Sequence, residues 1–231
     1  MTAPQTSQAL ARLMCEATET VLWRPARDWI QYREPGSELT CRIGSGQATY
    51  HQFDPRSRRH QITFGRKMVA ATFDSVDCQP WLSTREIRRR HYFRGDVSTL
   101  HLLAHTCCHE FAHLLQHVSN GRQRGSVHNT TFYRILDELH ASGGSEGVKD
   151  CLLERARAAD LDLPTEPMTL PTLEAPPAPA FEVGDTVRFP LKDSERKGRV
   201  IRVNRKTCTV EGTGRWRRYR YRVPPSLLSK L

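Results

Sequence analysis

The residues with the clearest chemical potential in this chain lie in one short stretch, His109-Glu110-Phe111-Ala112-His113. On a helix, residues four apart differ by about 40° around the axis, so the two histidines share one face. Two imidazoles at this spacing can bind one zinc ion, with Glu110 beside it as a general base. The pattern predicts a zinc-dependent hydrolase, in which zinc activates a water molecule and Glu110 accepts its proton.

A ladder of histidines spaced by four surrounds this pair, with His101, His105 and His117 as its other members. The four steps between these five histidines sweep too far around a helix for all five side chains to face one metal ion. Only between His109 and His113 does a carboxylate occupy the general-base position. We therefore expect the other three to be core or surface histidines.

A catalytic zinc site needs a third protein ligand, and four downstream residues are candidates for it. They are His117, His128, Glu138 and His140. His117 lies on the motif helix and cannot easily close a tetrahedral site from there. Glu138 and His140 lie about three turns along the next predicted helix. His128 lies near the start of that helix, after a polar break that lets the chain fold back, and is the favoured ligand.

The elements that must position these residues follow from hydrophobic periodicity. Helices are predicted over 6–22, 100–118, 128–139 and 145–160, and extended segments over 39–53 and 61–64. The two extended segments are predicted to pair as a hairpin. The charged run from Arg85 to Arg90 is expected to be a solvated face. This pattern predicts an α+β fold.

Composition divides the chain into two domains and a linker. Residues 1–160 hold the motif, and 161–180 contain six prolines, which predicts an extended, semi-rigid linker. Short strands separated by turn residues over 181–231 predict a small SH3-like barrel. That segment carries 14 Lys/Arg against 5 Asp/Glu, a net +9 of the chain's +10. The basic module is therefore expected to bind an acidic partner, with DNA as the leading choice.

The last predicted strand of this module, residues 215–223, alternates in character. Alternation places Trp216, Arg218, Arg220 and Arg222 on one face. Three arginines and one aromatic ring suit phosphate contacts and a base stack. These four residues are the candidate nucleic-acid contacts.

Seven cysteines, an odd number without zinc-ribbon spacing, predict reduced thiols rather than a disulfide framework. Cys107 and Cys108 precede the motif and are expected to be small buried residues, not zinc ligands. No apolar run is long enough for a membrane span, and the N-terminus lacks the features of a signal peptide. The sequence predicts a soluble, cytoplasmic protein.

The stretch Cys108-His-Glu-Phe-Ala-His113, a short break and then His128-x-x-x-Phe132 resemble the SprT-like (Spartan-related) zinc metallopeptidases. In that family the third histidine opens the helix after the motif helix, with an aromatic residue four positions on. The resemblance implies a minimal zincin-like domain holding one zinc ion, and a protein substrate bound or crosslinked to DNA. This chain departs from the family in having Asn129 where Gly is frequent, and in lacking a four-cysteine zinc ribbon.

Two alternatives remain open from the sequence. A metal-dependent hydrolase of nucleoside triphosphates would keep the zinc, although the break before the third histidine is shorter in such enzymes. A nucleic-acid-binding protein with a structural zinc would have no use for Glu110. For the oxyanion of a peptidase, Tyr133 and His140 are the candidate stabilising groups.

Overall fold

The computed structural model describes residues 3–121, 126–171, 181–191, 194–204 and 207–231. The chain forms two compact units, one ending at Pro171 and one beginning at Thr172. Helices and two small sheets occur together, which confirms the predicted α+β class. Residues 172–180 of the predicted linker and 122–125 of the predicted break lie outside the described residues.

The first unit is mainly helical. Its α-helices are α1 (Ala3–Ala17), α2 (Arg24–Arg33), α3 (Arg66–Ala71), α4 (Ser75–Cys78), α5 (Leu82–Arg90), α6 (Thr99–Asn120), α7 (Thr130–Ala141) and α8 (Gly144–Ala158). A π-helical segment, Thr18–Trp23, joins α1 to α2 without a break. Within the described residues, every helix is too short or too polar to cross a bilayer.

Helix α6 is the centre of this unit, and other elements cover it on most sides. It contacts α1, α2, α5, α7, α8 and two strands. Its N-terminus is capped by Ser98, whose side chain accepts a hydrogen bond from the His101 amide. Leu102, Leu103 and Leu114 are fully buried, so the helix that carries the motif is fixed by the core.

A three-stranded sheet lies against this helix. Its strands are β1 (Glu38–Gly44), β2 (Tyr50–Asp54) and β3 (Arg59–Gly65), in the order β1-β3-β2. Strands β2 and β3 form the expected antiparallel hairpin, and β1 instead pairs parallel to β3. The predicted segment 39–53 therefore contains two strands. The loop between β1 and β2 passes close to the backbone of Gly65. A Cβ atom at position 65 would lie 2.7 Å from the Gly46 carbonyl oxygen, so only glycine fits at that position.

The first part of the predicted linker packs on the first unit. Leu163 is buried in its core. The Leu100 amide donates to the Pro164 carbonyl, and the Met168 amide donates to the Val97 carbonyl. Residues 161–171 therefore differ from the free extended segment that their prolines suggested, because several of their apolar side chains pack on the core and these hydrogen bonds hold them near the start of α6.

The second unit is an antiparallel sheet. Its strands are β4 (Thr186–Leu191), β5 (Ser194–Val203), β6 (Cys208–Gly212), β7 (Arg220–Val223) and β8 (Ser229–Lys230). They are ordered β7-β6-β5-β4-β8. Inward side chains such as Val187, Phe189, Val200 and Val210 form a small core of their own.

The last long strand is shorter than the sequence suggested. It begins at Arg220, because Gly214 adopts a left-handed φ of 59° and opens a 3-10 turn over Gly214–Trp216. The Tyr219 amide then donates to the Trp216 carbonyl, which extends the turn. The prediction that Trp216 and Arg218 alternate along a strand with Arg220 and Arg222 was therefore wrong.

Candidate metal centre and cleft

The three predicted histidine ligands converge in the first unit. Nε2 of His128 lies 3.1 Å from Nε2 of His109 and 3.1 Å from Nε2 of His113. His109 and His113 reach this point from one face of α6, as their spacing predicts, and His128 approaches from the opposite side. Glu110 is buried on the same helix and borders the same cavity.

His128 lies just outside the helix that was expected to carry it. Helix α7 starts at Thr130, and Asn129 caps it by accepting a hydrogen bond from the Phe132 amide. Buried Gln116 of α6 donates both to the Val127 carbonyl and to Oδ1 of Asn129. Gln116 thus fastens the segment that presents His128, and Asn129 has a defined role where the SprT-like pattern often has Gly.

Phe132 packs against all three converging imidazoles. Its ring centroid lies 4.9 Å from that of His109, 4.4 Å from His113 and 4.9 Å from His128. The Phe132 side chain is fully buried. An aromatic residue four positions after the third histidine therefore forms the apolar floor of the cluster and limits where the rings can move.

The structure adds Glu86 to the site. This buried residue of α5 has one carboxylate oxygen, Oε2, 2.9 Å from Nδ1 of His109 and 2.9 Å from Nε2 of His105. An Nδ1–H bond to a carboxylate leaves the Nε2 lone pair of His109 free for a metal ion. Burial opposes ionisation, but hydrogen bonds from the two imidazoles hold the pKa of Glu86 well below its usual range.

The expectation that Arg85 to Arg90 is a solvated face was wrong for two of its residues. Glu86 and Ile87 are buried, whereas Arg88, Arg89 and Arg90 are not. Helical spacing offered a clue, since Ile87 lies on the apolar side of α5 and a carboxylate beside it must find partners. Those partners come from α6, which sequence spacing does not reveal.

The other candidate third ligands have different partners. His117 lies 3.9 Å from a Glu34 carboxylate oxygen, and Glu138 pairs with Arg134 at 3.5 Å. His140 Nε2 lies 3.1 Å from Nδ1 of His105. Of the four alternatives, the structure brings only His128 to His109 and His113.

The two residues named as oxyanion candidates lie near the cluster but not in its cleft. The His140 ring stacks on Tyr92 with a centroid distance of 3.6 Å. Tyr133 lies beneath the Arg90 guanidinium, and its ring centroid is 6.4 Å from that of His128. Neither borders the cavities around Glu110.

Burial and mutual repulsion favour the neutral form of His113 and His128. For His109 the effect of burial is outweighed by the Glu86 hydrogen bond, which raises its pKa. Burial, followed by the charges of His109 and His128, lowers the pKa of His113 to about 3. Burial also lowers the pKa of His128. Burial raises the pKa of Glu110 to about 7, near the value suited to a general base at neutral pH. Neutral imidazoles are the form that binds metal.

His109, His113 and His128 form a group that could hold a metal ion. An imidazole Nε2 carries either one proton or one lone pair, so one hydrogen bond cannot satisfy three such atoms that face one another. A tetrahedral zinc ion with bonds of 2.0–2.1 Å separates its ligand nitrogens by about 3.3 Å. The two separations of 3.1 Å, both of which involve His128, are close to this value, and all three ligand atoms lie within 4.8 Å of one another.

Glu86, His105 and His109 also bring three donor atoms together. There, hydrogen bonds from the two rings to Oε2 of Glu86 explain the arrangement without a metal ion.

A cleft extends on both sides of Glu110. On one side, a cavity of about 730 Å³ is bordered by the His128 segment and by residues 49–53. On the other, a cavity of about 320 Å³ is lined in part by Met68, Trp81 and Leu82. Thr49, His109 and Glu110 border both cavities.

The backbone of β2 itself lines this cleft. Side chains alternate between the faces of a strand, so five consecutive lining residues, 49–53, mean that the strand edge faces the cavity. Strand β2 is the last strand of its sheet and pairs only with β3 among the described strands. Its outer edge therefore offers hydrogen-bonding groups to an extended chain.

A second histidine cluster lies farther along α6. Nε2 of His51 lies 3.0 Å from Nδ1 of His60, and Nε2 of His60 lies 2.8 Å from the Glu34 carboxylate. The His117 ring packs against Phe53 at 4.5 Å. Each close contact here joins a possible donor to an acceptor, so this group forms a hydrogen-bonded chain.

The cysteines before the motif are outside the ligand set. Cys107 and Cys108 are buried, as expected. Burial raises the pKa of Cys108 to about 12, so its thiol stays protonated at neutral pH.

In the second unit, the four predicted nucleic-acid contacts do not form one stripe. Arg220 and Arg222 are exposed on the same face of β7, opposite buried Val223. Trp216 lies in the preceding turn with the Arg196 guanidinium 3.8 Å above its ring centroid, and Arg218 follows in that turn.

The chain matches no family model, no curated protein and no solved structure. Its site geometry is therefore the main basis for assigning a function.

Proposed function

We propose that this chain is a zinc-dependent endopeptidase of the SprT-like kind. The observation that carries the proposal is the convergence of three histidine Nε2 atoms beside buried Glu110, in a cleft bordered by an open strand edge. A metal site of three histidines suits catalysis, because it leaves one position for water or substrate. A purely structural site would need no adjacent buried carboxylate.

The roles of the residues follow from their positions. His109, His113 and His128 would hold zinc, which when bound supplies Lewis acidity to activate water and polarise a carbonyl group. Glu86 and Phe132 orient the imidazoles. Glu110 accepts the proton of the attacking water and returns it to the leaving amine.

The cleft favours a peptide over a nucleotide substrate. The free edge of β2 can align an extended backbone by strand addition, and the two cavities extend that path on either side of Glu110. A site open on both sides suits cleavage within a chain. None of the described residues that line the two cavities is Lys or Arg, so the site lacks the cations expected for a triphosphate.

The second unit would direct the peptidase to DNA-associated protein. Its antiparallel five-stranded sheet with a separate core supports an SH3-like barrel, and the helices and open-edged sheet of the first unit support a zincin-like domain. The excess of 14 basic over 5 acidic residues after position 180 favours a polyanionic partner.

The test combines zinc content with cleavage of a basic DNA-binding protein, measured with and without DNA. We expect Glu110→Gln to keep one zinc per chain. Its activity should be about 10²–10⁴-fold lower than that of the wild type, which is the usual contribution of general-base catalysis. Glu138→Gln is a matched control, because the Glu138 side chain is exposed and, among the described residues, pairs only with Arg134. Zinc without cleavage by the wild type would favour a structural site, and absence of zinc would refute the proposal.

A further inference from the structure

The strand register of the second unit gathers basic side chains on one face of the sheet. Directly paired residues in antiparallel strands point to the same side. Val187, Val200 and Val210 mark the buried side. On the opposite side, paired positions place six exposed basic residues together: Arg188, Lys197, Arg199, Arg202, Arg220 and Arg222. We call these six residues the basic face.

Carboxylates neutralise only part of this face. Glu195 lies 3.8 Å from Arg188, and Glu211 lies 3.5 Å from Arg220. No ion pair among the described residues involves the other four basic side chains: Lys197, Arg199, Arg202 and Arg222. The face therefore keeps a net charge of about +4, and its basic side chains come from three strands, β4, β5 and β7.

The basic face contains no exposed aromatic ring. Tyr221 and Phe189 belong to the opposite, inward side, where their ring centroids lie 5.2 Å apart. Trp216 and Tyr219 lie in the turn before β7. Proteins that bind single strands without sequence preference stack bases on exposed aromatic rings, whereas phosphate contacts need only cations.

We propose that the basic face binds the phosphate backbone of duplex DNA without reading its sequence. Strands about 4.8 Å apart place β4 and β7 about 14 Å from each other. Duplex DNA carries one charge per about 1.7 Å with both strands counted, so a length of this size carries about eight phosphates, of which those on the near side meet the face. This inference deepens the targeting part of the proposed function and is independent of the zinc chemistry.

The test measures binding of the full-length chain to a labelled 20-base-pair duplex by fluorescence anisotropy, at salt concentrations from 50 to 200 mM. The double variant Arg199→Gln/Arg222→Gln removes two cations from the face. We expect an affinity loss on the order of tenfold. The negative slope of log K against log salt should become shallower by about 2. A duplex of unrelated sequence should bind equally well, and the corresponding single strand more weakly.

The matched control is Arg217→Gln/Arg218→Gln, which removes the same charge from the exposed turn. It should keep affinity within about twofold, because these side chains lie outside the paired strands. Thermal unfolding verifies that both variants fold. Equal losses in the two variants would overturn the proposal in favour of net charge alone.

Three other results would also overturn it. Tighter binding of the single strand, with loss in Tyr219→Ala, would indicate base stacking. Binding to vesicles of anionic lipid but not to DNA would indicate a membrane surface. Absence of wild-type binding to the duplex would refute the inference while leaving zinc content and peptidase activity as separate questions.

Discussion

Two groups of histidines along helix α6 use the same residue types in different ways. In the first, Nε2 atoms of His109, His113 and His128 face one another. In the second, His51 contacts His60, and His60 contacts the Glu34 carboxylate. Both groups are at least partly buried, and both include residues from α6 and from another element.

The difference lies in the partners of each nitrogen. A ring nitrogen that meets a carboxylate, or a single ring nitrogen of complementary protonation, is satisfied by one hydrogen bond. Three Nε2 atoms that meet at one point cannot all be satisfied by one hydrogen bond. A cation bound between their lone pairs would satisfy all three. The number of histidines therefore does not indicate where a metal ion could bind, whereas the convergence of three Nε2 atoms does.

The largest expected difference between the groups is in zinc content. His128→Ala removes one of three ligands, so we expect the purified chain to fall from one zinc to nearly none. His117→Ala changes the second group and should retain the metal. Elemental analysis of both variants measures this. Zinc loss in His117→Ala, with retention in His128→Ala, would reverse the assignment of the two groups.

A smaller effect is expected when the carboxylate partner of each group is altered. Glu86→Gln weakens the acceptor for Nδ1 of His109, and changes to such partners typically cost 10–100-fold in metal affinity or activity. Glu34→Gln makes the same chemical change in the second group and should leave zinc affinity unaltered. Competition with a chelator provides the affinities. Equal losses in both variants would argue against a special role for Glu86.

The smallest expected effect is the loss of folding stability at acidic pH that comes from His51 in the second group. Burial, together with repulsion from His60 and His117, lowers the pKa of His51 to about 3. Below the unfolded value near 6.5, the unfolded chain takes up a proton that folded His51 does not, so stability falls as pH falls. At pH 5.5 the titration of His51 lowers the free energy of unfolding by about 1.4 kcal/mol.

Urea unfolding of metal-free protein at pH 7.5 and pH 5.5 measures this loss. His51→Gln should lose about 1.4 kcal/mol less than the wild type between the two pH values. An identical pH dependence in both proteins would mean that His51 titrates normally in the folded state.

The sequence by itself determined the part of the site that depends on spacing along one helix. Residues 109 and 113 share a face of any α-helix, and Glu110 lies beside them. The apolar periodicity of α6 and α7 likewise predicted helices there, and the turn residues Asp54 and Pro55 between two extended segments predicted the β2–β3 hairpin. In the second unit, composition alone located the excess of basic residues.

Only the tertiary structure decided which distant residues join those local features. Glu86 reaches His109 because α5 packs on α6, and Gln116 holds the His128 segment through hydrogen bonds to Val127 and Asn129. The basic face depends on strand register, and the turn at Gly214 removes Trp216 from it. Periodicity specifies how side chains point within one element. Partners across elements depend on the packing of the whole chain, which no local pattern encodes.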